Sequence, residues 1–210
     1  MSKTAFIFPG QGAQYVGMAK DFYETYPECK EIIDKADELM DFDLKHILFE
    51  ENDLINKTEY TQAAMLAAEV CILKAVEMKG ITADITAGLS LGEYAALVAS
   101  KALSFEDAMK LVRKRGMYME NEVPAGKGGM AAVISLDADA INAICDKITS
   151  ESGKVVSPAN YNCPGQIVIT GKTEAVNVAV SPKSKLADDL SRVTEAAGVI
   201  STSTSLPPDK

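Results

Sequence analysis

The first half of the chain alternates between short apolar runs and longer segments whose apolar residues recur at helical spacing. Thr4–Phe8 is a dense aromatic and apolar run that Pro9 stops, which predicts a buried opening strand. Glu28–Met40 carries its apolar residues on one face and is predicted to be an amphipathic helix. Thr61–Lys79 is apolar nearly all round, which predicts a heavily buried helix that Gly80 closes in a left-handed conformation. This alternation is typical of an α/β domain.

The stretch Ile85–Val98 joins a short apolar run, predicted to be a buried strand, to a helix rich in alanine and leucine. Between them Gly88, Ser90 and Gly92 form the pattern G-x-S-x-G. A serine on a sharp strand-to-helix turn needs small residues two positions away on each side, because larger side chains would collide. Such a turn exposes the hydroxyl and would place a developing oxyanion beside the N–H of Leu91. The pattern predicts a nucleophile at Ser90, although glycine-rich turns also serve packing alone.

A second glycine-rich loop, Pro9–Gln14, follows the opening strand directly, and a helix is predicted to begin near Gly17 or Met18. Glycines on both sides of Gln11 would let the backbone approach a ligand closely and free its N–H groups. A plain strand-to-helix turn explains the same residues. Both interpretations stay open on this loop alone.

The pattern changes at the glycine-rich hinge Gly126–Gly129. A strand, a helix, a hairpin and a second helix are predicted at Met130–Ser135, Asp137–Thr149, Val155–Asn160 with Gln166–Thr170, and from Thr173. This β-α-β-β-α order predicts a ferredoxin-like α+β subdomain inserted into the α/β core. The expected division is a core over residues 1–126, a small subdomain over 127–177, and a divergent, poorly ordered tail over 178–210.

The composition is that of a globular protein, with 210 residues, 47% hydrophobic and 24% charged. The formal net charge of −9 argues against nucleic acid and against anionic membrane surfaces as partners. No apolar run reaches the length of about 18 residues that spans a bilayer, and no secretory leader is visible, so a cytoplasmic protein is expected. Four scattered cysteines without a C-x-x-C pair favour free thiols, and neither a metal nor a cofactor is expected.

The densest positive patch lies on one predicted helix and comprises Lys110, Arg113, Lys114 and Arg115. A charge run of this kind is usually a solvated helix face. Arg115 has a second interpretation, because a guanidinium makes a bidentate fork to a carboxylate, as a substrate with a free acid group would require. His46 is the only histidine, and a lone histidine beside apolar neighbours is usually structural.

Four of these stretches resemble motifs of the malonyl-CoA:acyl-carrier-protein transacylases, the acyltransferases of bacterial fatty-acid synthesis. In chain order they are Pro9–Gln14, Gly88–Tyr94, Arg115–Gly116 and Ala159–Gln166. The resemblance covers roughly Thr4 to Val176. It implies an α/β-hydrolase-like core with a parallel sheet and a nucleophile elbow, plus the ferredoxin-like subdomain. It also implies that malonyl-CoA and acyl carrier protein are the partners of a monomeric enzyme without a cofactor.

The resemblance implies ping-pong transfer, in which Ser90 takes the malonyl group from coenzyme A and passes it to the phosphopantetheine thiol of acyl carrier protein. The N–H groups of Gln11 and Leu91 would form the oxyanion hole, and Arg115 would grip the malonyl carboxylate.

The hairpin Ala159–Gln166 resembles the part of the family's small subdomain that faces the active site. Asn160 and Gln166 are therefore expected to bind substrate.

Two positions depart from the family pattern. Leu89 stands where a histidine usually precedes the nucleophile, a change that should be tolerable. The general-base histidine of the family lies in a later segment, and this sequence has no histidine after His46. The last thirty or so residues do not resemble that segment, and the closing elements of the core are missing. A truncated or frameshifted gene product would explain both, and impaired transfer is expected.

Two other readings compete with an active acyltransferase. The first is an inactive acyltransferase fragment that at most binds acyl carrier protein or coenzyme A, which the missing base supports. The second is a serine hydrolase of the α/β-hydrolase type. That class needs a later histidine and acid, and it leaves Gln11 and Arg115 unexplained.

Overall fold

The computed structural model describes residues 3–122 and 127–181 and the backbone of residues 199–201. The chain divides into two units, Met1–Glu122 and Val123–Lys210, each with its own internal contacts. The sequence pattern placed the corresponding boundary between residues 126 and 127. Each unit is described by itself below.

Two parallel strands, β1 (Ala5–Phe8) and β2 (Ile85–Gly88), form the sheet of the first unit. Ala5 pairs with Ile85 and Phe8 pairs with Gly88, so the two strands end together. The prediction that both strands are buried is wrong for one face, because Ile7 is 78% exposed and Ile85 is 57% exposed. Helices of the unit cover only the opposite face, on which Phe8 belongs to the core.

Six α-helices and one short 3-10 helix, Leu54–Asn56, complete the described part of the first unit. The α-helices are α1 (Lys20–Thr25), α2 (Pro27–Leu39), α3 (Leu44–Phe49), α4 (Thr58–Met78), α5 (Gly92–Ala99) and α6 (Phe105–Glu122). Helix α4 packs against α6, α2 and α5, and every residue from Thr61 to Cys71 is buried. This confirms the predicted central helix. Gly80, with φ of 74°, closes it as expected.

The helix predicted near Gly17 begins three residues later, at Lys20. The reason lies in the backbone, since Gly17 (φ 91°) and Ala19 (φ 62°) are both left-handed and cannot belong to a right-handed helix. The N–H of Gly17 donates instead to the carbonyl oxygen of Leu48, at 2.6 Å. This bond fixes the segment that follows the Gln11 loop.

Within its described residues, the second unit contains a four-stranded antiparallel sheet and two helices. Its elements are β3 (Gly128–Ile134), α7 (Ala138–Ser152), β4 (Val156–Cys163), β5 (Gln166–Lys172), α8 (Thr173–Ala179) and β6 (Val199–Ser201). The strand order is β4-β5-β3-β6, and each neighbouring pair is antiparallel. Ile141 and Ile148 of α7 share a small apolar core with Ile167 and Ile169 of β5. The predicted hairpin is present, with strands longer than the pattern indicated.

The predicted boundary of the irregular tail, at residue 178, lies too early in the chain. Helix α8 continues to Ala179, and residues 199–201 pair with β3, with Ile200 opposite Ala132. The serine- and threonine-rich composition suggested disorder. Strand pairing is nevertheless possible there, because it uses the main-chain N–H and C=O groups that every residue except proline carries. Residues 182–198 and 202–210, where the rest of the predicted tail falls, lie outside the described residues.

Over the described parts of both units, no helix combines the length and the apolar character needed to cross a membrane.

Candidate active site

Ser90 lies on the turn between β2 and α5 with a left-handed backbone (φ 53°) and an exposed side chain. The flanking glycines are sterically required. A Cβ atom on Gly88 would overlap the carbonyl group of Gly92, and a Cβ atom on Gly92 would overlap the carbonyl oxygen of Phe8. Non-glycine residues with positive φ are uncommon and often mark functional turns. The geometry is therefore the one that the G-x-S-x-G spacing predicted.

The loop after β1 runs alongside this turn. The N–H of Leu89 donates to the carbonyl oxygen of Phe8 at 3.1 Å, and a Cβ atom on Gly10 would lie only 2.8 Å from the carbonyl oxygen of Leu89. Parallel pairing of β1 and β2 brings the carboxyl ends of both strands to the same edge, where open α/β sheets bind ligands. The Gln11 loop and Ser90 consequently share that edge.

Arg115 reaches the serine from helix α6. Its Nη2 atom donates a hydrogen bond to the Oγ atom of Ser90 at 2.9 Å. The guanidinium also lies over the ring of Tyr94, with the Cζ atom 5.9 Å from the ring centroid. A fixed positive charge thus stands beside the hydroxyl group of Ser90.

A buried glutamine links Arg115 to the Gln11 loop. The Oε1 atom of Gln62 accepts a hydrogen bond from Nη1 of Arg115, and its Nε2 atom donates to Oε1 of Gln11 at 2.9 Å. The amide nitrogen of Gln11 donates in turn to the hydroxyl group of Thr58 at 3.2 Å. Gln62 is only 1% exposed. The side chains of Ser90, Arg115, Gln62 and Gln11 therefore form one hydrogen-bonded chain, which continues to Thr58.

Gln62 and Thr58 are not among the site residues predicted from the sequence. One signal was present, since Gln62 is a polar residue in a helix whose neighbouring positions are almost all apolar. A buried amide of this kind needs partners for its donors and its acceptor.

The two predicted oxyanion donors are unpaired. Among the described residues, neither the N–H of Gln11 nor that of Leu91 donates a hydrogen bond. Leu91 is fully buried at the start of α5, with 0% exposure. Gln11 is exposed, and the N–H of Leu91 stands at the N-terminus of a helix, where the first amides have no intrahelical partner.

Asn160 and Gln166 lie in the second unit, on the paired strands β4 and β5. Asn160 is exposed and stands opposite Val168, whereas Gln166 is half-buried and accepts a hydrogen bond from Asn162 at 3.2 Å. No hydrogen bond joins Asn160 to Gln166 among the described residues. The structure therefore brings together Ser90, Gln11 and Arg115, and it leaves the hairpin residues on their own unit.

The other charged residues near the site on α6 have different surroundings. The guanidinium of Arg113 bonds to both carboxylate oxygens of Asp41, at 2.7 and 3.1 Å, and lies 3.4 Å from a carboxylate oxygen of Glu59. It holds the pKa of Asp41 below its usual range. Lys110 and Lys114 are exposed, as expected for a solvated face.

His46 lies on helix α3 with its side chain 42% exposed, and its Nδ1 atom is 3.0 Å from Oε2 of Glu50. No hydrogen bond joins it to Ser90 within the described residues, where Arg115 is the side chain bonded to that serine.

Glu69 carries a buried carboxyl group on helix α4, two turns after Gln62. Both carboxyl oxygens are without a hydrogen-bond partner among the described residues, and the residue is 8% exposed. Burial raises its pKa to about 8.

The family model described as an acyl transferase domain matches residues 5–199 of this chain. The malonyl CoA-acyl carrier protein transacylase of Bacillus subtilis (strain 168) is 49% identical over 180 residues, which is 85% of this chain and 56% of that protein. The crystal structure of the Clostridium perfringens transacylase of the same name superposes with a TM-score of 0.82 and 39% identity, covering 98% of this chain and 62% of that chain.

A third similar structure is a complex, described as a type II PKS acyl-carrier protein with its malonyl-transacylase. Its TM-score is 0.82 at 36% identity, over 98% of this chain and 64% of that one. The chain thus spans about 56–64% of the length of these three relatives. The comparisons confirm the family resemblance and the α/β fold with a parallel sheet. On the match over residues 5–199, this chain belongs to the acyl transferase domain family.

Proposed function

We propose that this chain transfers a malonyl group from malonyl-CoA to the phosphopantetheine thiol of acyl carrier protein, through an acyl-enzyme on Ser90. The names of its relatives support the substrate and the acceptor. The observation that carries the proposal is the 2.9 Å hydrogen bond from Arg115 to Ser90, because it places a carboxylate-binding cation beside the nucleophile.

In the first half-reaction the Oγ atom of Ser90 attacks the thioester carbonyl. A C–O bond forms, the C–S bond breaks, and coenzyme A leaves as a thiol that has taken up the serine proton. The unpaired N–H groups of Gln11 and Leu91 stabilise the negative charge that develops on the carbonyl oxygen. In the second half-reaction the phosphopantetheine thiol attacks the serine ester, and Ser90 regains its proton.

Arg115 selects the acyl group. A malonyl group ends in a carboxylate, which a guanidinium binds through two parallel hydrogen bonds. An acetyl group has no such carboxylate. In the bound state the Nη2 atom of Arg115 exchanges the Ser90 hydroxyl for the substrate carboxylate, and this exchange frees the nucleophile.

The transfer is impaired in this chain, because its only histidine is engaged elsewhere. A free serine hydroxyl is a poor nucleophile at neutral pH and needs a base. His46 on helix α3 is paired with Glu50, the residue that follows this helix. Losing the base of a serine catalytic unit costs about 10⁴–10⁶ in turnover, while binding and oxyanion stabilisation persist.

We also infer the fold type of each unit, the role of the hairpin residues, and the location and oligomeric state of the protein. The second unit is ferredoxin-like, which the order β4-β5-β3-β6 and its antiparallel pairing support. The first unit is an α/β-hydrolase-like core, which the parallel strands and the serine turn support. Asn160 and Gln166 bind substrate from the hairpin. The protein is a cytoplasmic monomer, and the four free cysteines are consistent with a reducing compartment.

The test is to incubate the chain with malonyl-CoA and to locate the adduct by intact-mass and peptide-mapping mass spectrometry. We expect slow addition of one malonyl group on Ser90, none in Ser90→Ala, and loss of the adduct when holo acyl carrier protein is added. An adduct on another residue would contradict the mechanism. Binding of malonyl-CoA by a folded chain without any adduct would favour the inactive-fragment reading. Hydrolysis of simple esters without transfer would favour a serine hydrolase.

A further inference from the structure

We propose that Gln62 is a positioning residue for this reaction, whose neutral amide aims the Arg115 guanidinium at the substrate position without neutralising its charge. The inference rests on the proposed function and adds a residue to it. Gln62 would act through Arg115 and Gln11, and it has no contact with the reacting atoms in the proposal.

The hydrogen bonds of Gln62 leave its side-chain amide little freedom to rotate. Its acceptor oxygen is occupied by Arg115 and its nitrogen donates to Gln11, so one amide sets two residues that are 53 and 51 positions away in the chain. At 1% exposure, water cannot readily replace either partner. Rotating or removing this amide would release the carboxylate clamp and the oxyanion loop together.

Two arginines on helix α6 show why a neutral partner matters. Arg113 is bonded to Asp41 and lies 3.4 Å from a carboxylate oxygen of Glu59, so its charge is compensated within the protein. Arg115 forms no ion pair with a carboxylate of the described residues, and its side-chain hydrogen bonds there go to an amide and a hydroxyl. A guanidinium held in this way is oriented while its charge stays available to an anionic ligand.

Helix packing explains why position 62 can reach both partners. Gly116 follows Arg115 where α6 packs against α4, and a Cβ atom there would lie 3.0 Å from the carbonyl oxygen of Thr58 and 3.2 Å from Cγ of Gln62. The missing side chain lets the two helices approach closely. This approach brings the base of the Arg115 side chain next to Gln62.

The experiment compares Gln62→Met, Gln62→Glu and the control Thr61→Val in the full chain. Thr61 is also fully buried and donates to the carbonyl oxygens of Ile55 and Lys57, outside the Arg115 network. The readout is the single-turnover rate of Ser90 acylation by malonyl-CoA and by acetyl-CoA. We expect Gln62→Met to lower the malonyl-to-acetyl rate ratio about tenfold. Gln62→Glu should lower it at least as much, because the carboxylate pairs with Arg115.

Thr61→Val should lower stability and leave the ratio unchanged. If Gln62→Met keeps the wild-type ratio while Arg115→Ala changes it, the positioning role is overturned. A wild-type chain that forms no adduct at all would instead remove the proposed function.

A second measurement tests the role of Gln62 even if the wild-type chain forms no adduct. The sequence has three arginines, and ¹⁵N NMR can follow the rotation of the Arg115 guanidinium, with Arg113 as an internal reference. We expect restricted rotation of Arg115 in the wild type and faster rotation in Gln62→Met, with Arg113 unchanged. Equal restriction of Arg115 in both proteins would overturn the proposal.

Discussion

The Nη2 atom of Arg115 lies 2.9 Å from the Oγ atom of Ser90 and donates a hydrogen bond to it. The serine hydroxyl thus accepts a hydrogen bond from one of the donors that the proposal assigns to the malonyl carboxylate. One contact therefore sets both the nucleophile, which lies on the turn before α5, and the carboxylate clamp, which lies on α6.

Replacing Arg115 by alanine should weaken acylation by malonyl-CoA far more than acylation by acetyl-CoA. A charge-assisted hydrogen-bonded pair contributes about 1.5–3 kcal/mol, so a loss of roughly ten- to a hundredfold in the malonyl-to-acetyl ratio is expected. The rates are measured by mass spectrometry of Ser90. Lys114→Ala, an exposed change on the same helix, is the control and should leave the ratio unchanged. Equal losses for both acyl groups would refute the carboxylate-clamp role.

Replacing His46 by alanine should not change the acylation rate of Ser90. The imidazole bonds to Glu50, just after its own helix, and among the described residues the side chain bonded to Ser90 is that of Arg115. The measurement is the malonylation rate of His46→Ala beside wild type across pH 6–9. A large fall in rate, or the loss of a titration in the pH profile, would identify His46 as the base and would overturn our mechanism.

Replacing Gly92 by alanine should abolish the reactivity of Ser90 and destabilise the first unit. The added methyl group would overlap the carbonyl oxygen of Phe8 and lie 2.5 Å from that of Pro9, so β1 and α5 would have to separate. Overpacking of this kind costs about 1–3 kcal/mol or more. Denaturant unfolding and malonylation of Ser90 measure the two effects.

Gly153→Ala is the matched control for strain without a clash. Gly153 caps helix α7 with φ of 67°, and no heavy atom lies within 4 Å of the position of its missing Cβ. Its left-handed backbone should cost about 1–2 kcal/mol and leave the serine reactive. Loss of Ser90 labelling in this variant would mean that labelling reports general destabilisation.

Glu69 should make the free energy of unfolding fall as the pH rises between about 4.5 and 8. Its pKa is raised from 4.5 to about 8 in the folded chain, so within this window the folded state binds one more proton than the unfolded state. The slope from this group is therefore negative, at up to about 1.36 kcal/mol per pH unit. The stabilising contribution of Glu69 is fully present below pH 4.5 and is lost as the pH rises through the folded-state pKa of about 8.

Urea unfolding from pH 5 to 8 measures this slope. Glu69→Gln removes the titrating group and should flatten the curve, whereas Glu77→Gln, an exposed change on the same helix, should leave it unaltered. The upper limit of pH 8 keeps clear of the buried Cys71 thiol, whose pKa burial raises to about 12 and which adds a slope of the same sign at higher pH. Parallel curves for wild type and Glu69→Gln would contradict the buried neutral carboxyl.

The sequence predicted those features that depend on short-range sterics. The Ser90 turn is fixed by Gly88 and Gly92 within five residues, and the burial of α4 follows from its own apolar composition. The exposure of Ile7 could not be predicted, because an apolar run implies burial only when both faces of the sheet are covered.

Long-range contacts limit how much of the candidate site can be predicted from the sequence. The fork geometry of a guanidinium and the family resemblance both point to Arg115, whereas its charge run alone indicates a solvated face. Gln62 joins residues more than fifty positions away on two other elements, so no local pattern reveals its partners. Strand β6 was missed for the same reason, since its pairing with β3 is decided by the main chain.

The left-handed backbone of Ser90 also restricts which nucleophilic residues can replace serine at this position. A β-branched residue strongly disfavours positive φ, so threonine, which keeps the hydroxyl group, would strain the turn at φ of 53°. Cysteine is unbranched at Cβ and fits the same backbone. The turn therefore disfavours threonine as the nucleophile and accepts only side chains that are unbranched at Cβ, such as those of serine, cysteine and aspartate.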